Sequence, residues 1–503
     1  MKFKVCDTHF PAAWVGVEGL NLLRLDSRYY SPQYLEDDEL LNSKNFDKKT
    51  IGQMAAMVKD GPGGWAFKAN EYTTEGVPVI RASDLVNGLD LSKAVYMTED
   101  KHQELKQSEC LPGDLVISVR GTPGRAAIVP DSVKKANLNA AVVRVRLKKQ
   151  WLTSGQFICA FLNSTFGRRV TERIANGAVQ NNINLTEVRS IPVPVPDPLV
   201  QDYIGRKIEV AEKCRKEAAA YLNRAKKALE DALRVNVFSP VVPKISTSKP
   251  LKITSVKPSC SIVYPDFIKG VMGAHAYAAV HAQVELNFKH AGVKQVSLGS
   301  IVKEMVNGYD CRDFSETGTA YAKVAELRAG RLIPNPNQFV SIPLSDVPQK
   351  QRVKSGDLLI TRKGSFGICA NATEDDETVI ISSEIIRLRL IDKYDSAYVS
   401  LFLNSNYGRS KFDRLATGTM MLGINHGNLT EIEIPILDTT IQKQIGDKCR
   451  VWQTILKKSE ALVQSAKSDV EALIEGELDT DAILSGKLKA PTWEDIEKEL
   501  EGI

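Results

Sequence analysis

The 503-residue sequence has no Cys-x-x-Cys pair, and its eight cysteines (Cys6, Cys110, Cys159, Cys214, Cys260, Cys311, Cys369 and Cys449) lie far apart. That scatter offers neither the ligand spacing of a zinc site nor the density of a disulfide framework, so reduced thiols packed in cores are expected and no metal. No uninterrupted apolar run could span a bilayer, and the first residues hold no apolar signal core, which points to a cytoplasmic protein without a membrane. Low complexity and charge excess are missing too: at 43% hydrophobic and 25% charged, the composition is that of a globular protein. A net charge of +5 neither demands nor forbids nucleic acid, because acidic regions can mask basic faces. Catalytic signatures are equally scarce. There is no Asn-Pro-Pro-aromatic motif of the kind that holds an exocyclic amine for methylation. Gly61-Pro62-Gly63-Gly64 lacks the Lys-Ser/Thr of a phosphate-binding loop, and Asp375-Asp376 sits in a turn-like acidic run.

What the sequence does have is itself, twice. Its length calls for two or three domains. Gly113-Asp114-Leu115-Val116-Ile117 is echoed by Gly356-Asp357-Leu358-Leu359-Ile360, then Arg120-Gly121 by Lys363-Gly364 and Gly124 by Gly367. Upstream, Arg81, Leu85 and Gly88 fall opposite Lys323, Leu327 and Gly330. Downstream, Leu162-Asn163-Ser164 with Gly167-Arg168 recurs as Leu403-Asn404-Ser405 with Gly408-Arg409, and Leu185-Thr186-Glu187 as Leu429-Thr430-Glu431. Order and separation are kept throughout, which defines one long duplication rather than a short solenoid repeat. Each copy reads as a mixed α/β unit. A turn feeds a buried strand, glycines mark a tight hairpin, and a second strand (residues 140–147, then 385–390) alternates basic and apolar residues.

After each copy, proline-marked strands give way to a long helix-forming stretch. Residues Ile204, Ile208, Ala211, Ala218, Leu222, Ala225, Leu229 and Ala232 form a seam interrupted by Arg215. The second seam runs Ile445, Cys449, Trp452, Leu456, Ser459, Val463, Ala466, Val470 and Leu473. Steps of three and four predict coiled-coil packing, and two such helices in a duplicated chain are expected to pair antiparallel about a pseudo-two-fold axis. The fold class predicted is therefore α+β: two duplicated mixed α/β units separated by two long antiparallel coiled-coil helices. The expected segments are 1–197 (first unit), 198–236 (first helix), 237–283 (linker), 284–438 (second unit), 439–476 (second helix) and 477–503 (acidic tail).

In these doubled motifs the chain resembles the DNA-specificity subunit of Type I restriction–modification systems. Arg24-Leu25-Asp26-Ser27-Arg28-Tyr29-Tyr30 also looks like the start of that family's recognition domain, with Glu285-Leu286-Asn287-Phe288 as a weaker second copy, so the likeness spans roughly residues 20 to 476. The resemblance implies two target recognition domains, each reading one half of a bipartite site in double-stranded DNA, with the helices setting the unread spacer. It implies a cytoplasmic phage-defence protein without its own active site, docking two copies of an adenine-N6 methyltransferase subunit and a restriction/translocase subunit. S-adenosylmethionine, ATP and magnesium would be used by those partners, and no cofactor is expected on this chain. Alternative readings are a recognition subunit serving a methyltransferase-only or other defence complex, and a nuclease or methyltransferase with fused recognition domains. Thr417 to Met421 replace the polar loop of Gly177 to Asn182 and depart from the pattern.

Base readout needs donors and acceptors, whereas phosphate contact needs only basic or polar groups. The candidate DNA contacts of the first unit are Arg81, Arg120, Arg125, Lys134, Lys135, Gln180, Asn181 and Asn182. Those of the second are Lys323, Arg362, Lys363, Lys411, Arg414 and Asn425, with His426 as a hydrogen-bonding loop residue. The equivalence of Arg81 and Lys323 suggests a shared backbone contact. The expected spacer or partner seam is Ile204, Ile208, Leu222, Leu229, Ile445, Trp452, Leu456, Val463, Val470 and Leu473.

Overall fold

The computed structural model describes residues 3–6, 12–15, 26–43, 46–64, 66–86, 88–91, 93–175, 181–239, 279–418 and 422–501. Residues 240–278 of the expected linker, Arg24, Leu25, Gly177 to Gln180 and Thr419 to Met421 lie outside them. The chain divides into two compact units, residues 1–216 with 455–502 and residues 217–454. The boundaries cut both long helices in the middle instead of setting each helix apart as a segment of its own.

The first unit is built on a four-stranded antiparallel sheet of β1 (Ala55–Asp60), β2 (Leu115–Ser118), β3 (Ala126–Ile128) and β4 (Val142–Leu147), in the order β1-β4-β2-β3. The second unit repeats it with β5 (Val302–Asn307), β6 (Leu358–Thr361), β7 (Cys369–Asn371) and β8 (Ile385–Leu390), in the order β5-β8-β6-β7. Beside each sheet lies a short parallel pair, Val79–Ile80 with Asn137–Leu138 in the first unit and Tyr321–Ala322 with Ile380–Ile381 in the second. The proline-marked strands pair with a strand from the start of their own unit, Pro192–Val195 with Asp47–Thr50 and Glu433–Pro435 with Gln295–Ser297.

The Gly-Asp repeat now has a physical reason. Gly113 and Gly356 adopt φ of 83° and 85°, a turn that favours glycine, and the next carboxylate is buried. Asp114 accepts from the Leu111 N–H at 2.9 Å and takes the Arg146 guanidinium from β4 at 2.7 and 2.6 Å. Asp357 accepts from Lys354 N–H at 2.8 Å and takes Arg389 from β8 at 2.8 and 2.9 Å. Each charge-assisted fork locks turn to sheet and raises the arginine pKa above its usual value, chiefly through the carboxylate hydrogen bond.

The two sheets partner a second buried arginine differently. Arg144 and Arg387 are both buried in the strand that carries the fork. Arg387 pairs with Glu304 of β5 at 2.9 Å, whereas the cross-strand place of Glu304 is held by Met57 in β1. Among the described residues no carboxylate pairs with Arg144, which reaches the Met57 sulfur and the carbonyls of Glu109 and Gln107. Met57→Glu is therefore expected to stabilise the first unit by about 1–2 kcal/mol, since a buried charge gains its missing hydrogen-bonded partner. Thermal unfolding followed by peptide-resolved hydrogen exchange over residues 55–147 checks this; an unchanged or lowered stability would refute it.

The helices α1 (Pro198–Leu233) and α2 (Thr439–Glu475) pack together antiparallel within each unit. In the first unit, Lys207 is buried against Asp469 and donates to Ser465 Oγ at 2.9 Å. Arg215, the seam's interruption, reaches Ser459 at 3.2 Å, and Ser459 Oγ donates to the Ala211 carbonyl at 2.8 Å. In the second unit, Ala225, Leu229 and Leu233 share a core with Ile445, Cys449 and the aromatic cluster Phe288, Phe402 and Tyr407. Ile204, Ile208, Val463, Val470 and Leu473 are buried as expected for a seam.

Trp452 and Leu456 need correction: both are only half-buried, and Gln453 and Ile455 take the inward places. Leu222 is likewise half-buried, packed against the core. The reason is that the recognition unit covers a second face of the helix. Trp452 lies against Gly330, whose φ is 83°, and Gln453 donates its amide to the Gly330 carbonyl at 2.5 Å. Gly88, φ 114°, leaves the same space in the first unit for Arg215 and Glu212. A β-carbon at either glycine would collide with the helix, so this repeated glycine is the close approach of unit to helix. Beyond α2, the acidic tail folds into two short helices, Thr480–Leu484 and Trp493–Leu500, with Ile496 buried and Trp493 under Lys213.

Candidate nucleic-acid interface

Both units present a hairpin whose tip carries the Arg/Lys-Gly repeat. In the first, Ser118 Oγ donates to the Thr122 carbonyl at 2.6 Å and accepts from Arg125 N–H at 3.0 Å. Thr361 Oγ1 does the same with Ser365 and Ile368, at 2.6 and 2.9 Å. The Leu-Asn-Ser motif holds the returning strand. Asn163 clamps both the N–H and the carbonyl of Ala126 at 3.2 and 2.8 Å, and Asn404 clamps those of Cys369 at 3.1 and 2.7 Å. Ser164 and Ser405 then cap the next helices, Thr165–Ile174 and Asn406–Leu415. From those helices Arg168 donates to the Pro123 carbonyl at 2.7 Å and Arg409 to that of Phe366, pinning each tip.

The polar loop that precedes Leu-Thr-Glu lies along this hairpin. Ile183 N–H donates to the Val119 carbonyl at 3.0 Å, and Arg120 and Asn182 form an antiparallel bridge. Ile424 N–H donates to the Arg362 carbonyl at 2.9 Å, and Lys363 bridges to Gly423. Hairpin tip and the described end of the loop thus form one edge in each unit, alike in backbone hydrogen bonds and different in side chains. In the first unit that edge gathers Arg120, Arg125, Asn181 and Asn182; in the second, Arg362, Lys363 and His426.

The charged residues gathered at the edge are cations, with Glu384 beside Lys363. Arg120 is exposed, Arg125 is half-buried, and no acid pairs with either among the described residues. Burial, joined by the like charge of Arg125 and opposed by Glu172, holds the Arg168 guanidinium below its usual pKa. Arg362 is half-buried, and burial followed by its charge pushes the His426 pKa below 6.5 while the ring hydrogen-bonds Asn307 at 2.8 Å. Lys363 meets Glu384 at 3.4 Å in an exposed pair of small energetic weight. Lys134 is exposed, whereas Lys135 is drawn to Glu99 at 2.6 Å.

Other candidates are placed elsewhere. Lys411 is buried and Arg414 half-buried against Glu285, at 2.9 and 3.7 Å, because the helix Asn406–Leu415 packs its charged face on the helix Ala279–Ala291. Arg81 is held by Asp84 at 2.9 Å and by the Lys93 carbonyl at 2.7 Å, while Lys323 is exposed over the Phe314 ring. What the two positions share is a backbone cap: each N–H donates to the carboxylate three residues on, both at 2.9 Å. Asn425 caps the helix His426–Thr430 through Asn428 N–H at 2.8 Å, as Asn184 caps Leu185–Ser190.

Burial pushes the Cys214 thiol up to about 11 and those of Cys159 and Cys449 up to about 12. Among the described residues no group of three or more His, Cys, Asp or Glu side chains is placed to hold a metal ion, and no helix is long and apolar enough to cross a membrane. The geometry thus repeats one cation-bearing edge on two like scaffolds, with amides beside it in the first unit. Residues 43–218 match the family described as Type I restriction modification DNA specificity domain.

No curated protein sequence matches the chain. Among solved structures, the Type I restriction-modification system S subunit from M. genitalium is 15% identical with a TM-score of 0.41, covering 87% of this chain and 97% of that one. The HsdS subunit from Thermoanaerobacter tengcongensis is 15% identical with a TM-score of 0.27, covering 86% and 97%. A structure described as the basis of complex assembly and conformational transition of the type I R-M system is 14% identical with a TM-score of 0.27, covering 88% and 98%. At such scores these likenesses carry no argument, and the family match is confined to residues 43–218.

Proposed function

We propose that the chain is the non-catalytic subunit that reads a bipartite DNA site, one half through each hairpin-and-loop edge. The observation that carries this reading is the repeated edge: the same hydrogen-bonded hairpin and loop in two units, with different side chains at equivalent places. Cations fix register on phosphates and amides read base edges. The partners in this reading are two copies of an adenine-N6 methyltransferase subunit and a restriction/translocase subunit, which use S-adenosylmethionine, ATP and magnesium. The compartment is the cytoplasm.

Methylome sequencing of cells that express the chain with its methyltransferase partner tests the reading. Adenine methylation at a divided motif, absent when the chain is omitted, is expected. Methylation at a single undivided motif, or none, would overturn it.

A further inference from the structure

Before the first sheet, Ser27–Tyr30 form a short turn capped by Asp26, which accepts from Tyr29 N–H at 3.0 Å. The turn is fastened to the helix below the hairpin. Arg173 donates to the Tyr29 carbonyl at 2.8 Å and stacks 4.2 Å above the Tyr29 ring. From this anchored turn, exposed Arg28 extends across 153 residues of sequence and donates from Nη1 to Asn181 Oδ1 at 2.9 Å. A guanidinium has donors only, so the contact settles which way the amide faces. The Asn181 oxygen is turned to Arg28, and its NH₂ is the group left for a ligand. In the second unit the related segment belongs to a helix whose Glu285 neutralises Lys411, and the residue opposite the hairpin is Gly423.

We propose that Arg28 is a positioning residue for sequence specificity: it orients the Asn181 amide so that its NH₂ faces the base in the first recognition unit. This rests on the DNA-recognition reading above. A free asparagine amide can grip adenine with both atoms, donating to N7 and accepting from N6. With one lone pair of its oxygen taken by Arg28 and the amide oriented by that bond, the paired grip is disfavoured and the NH₂ is the group presented to a base. The base edge it suits is one made of acceptors, guanine N7 and O6. Nearby, Asn182 Oδ1 is buried and has no hydrogen-bond partner among the described residues, so the loop's second amide is not competing for Arg28.

The test uses the full chain with its methyltransferase partner and duplexes that vary one base pair at a time in the half-site read by the first unit. Wild type is expected to prefer guanine over adenine at one position by about tenfold. Arg28→Met should bring the two bases close to equal there while leaving every other position alone. Arg28→Lys, which still donates, should retain part of the preference. Asn181→Ala should abolish it, and adding Arg28→Met should change nothing more.

The proposal is overturned if Arg28→Met leaves the preference intact or weakens binding further in the Asn181→Ala background. It is equally overturned if that variant weakens all duplexes alike and lowers the salt dependence by about one phosphate, which marks a backbone interaction. A wild type without any base preference would instead remove the DNA-recognition reading, and that control is read first.

Discussion

Asp357→Asn is expected to cost the second unit about 3–5 kcal/mol, the range for removing one partner of a buried charge network. Two buried or half-buried guanidiniums, Arg387 and Arg389, share two carboxylates, Asp357 and Glu304. Asparagine fills the same volume and can still accept from Lys354 N–H, but it leaves one carboxylate for two cations. Asp114→Asn in the first unit should cost less, because the Arg146 side chain is 36% exposed and can turn to solvent. Hydrogen exchange resolved by peptide separates the two units and reads each loss; equal effects in both would refute the account.

Acid tests the same network. The hydrogen bond from Arg387 holds the Glu304 carboxyl below its ordinary value of 4.5. A group with a depressed folded pKa contributes stability that is complete above the unfolded value and is lost as pH falls through the folded one. The second unit should therefore lose that increment below pH 4.5, and Glu304→Gln should lack it at every pH.

The fold was legible because its repeat is a scaffold repeat. Asp114 and Asp357, Asn163 and Asn404, and Arg168 and Arg409 recur since each makes the bond that shapes or pins the same hairpin. Spacing along the chain is enough to find such residues. The site was less legible, because the partners that decide it are distant in sequence. Lys411 reads as a free cation until Glu285, 126 residues away, is placed beside it. Arg28 reads as part of a family motif until the fold brings it to Asn181. Trp452 fits a heptad on paper, yet the glycine that makes room for it lies in another element. Periodicity reports one buried face; it cannot report a second face covered by a domain.

These placements separate two classes of arginine and lysine that look alike in sequence, and a functional measurement should divide them sharply. Arg120 is exposed and Arg125 half-buried at the hairpin tip, with no acid paired to either among the described residues. Neutralising both, Arg120→Ala with Arg125→Ala, is expected to weaken DNA binding by the assembled complex at least about tenfold at moderate salt. It should also lower the slope of log affinity against log salt by roughly two, one for each phosphate that no longer meets a cation. Stability should hardly change, since neither side chain fills a core.

Lys411→Met should do the reverse. It removes the ammonium that neutralises Glu285, so the second unit should lose roughly 2–3 kcal/mol while the salt slope stays as in wild type. Fluorescence anisotropy across a salt series, paired with thermal unfolding of the same preparations, reads both quantities. A double variant at the tip that keeps its salt slope would remove Arg120 and Arg125 from the interface. A Lys411 variant that loses slope without losing stability would return that lysine to it. The two outcomes are independent, because the physical difference is local: a cation with a buried carboxylate beside it is already neutralised, and a cation at an edge without one is neutralised only by what binds there.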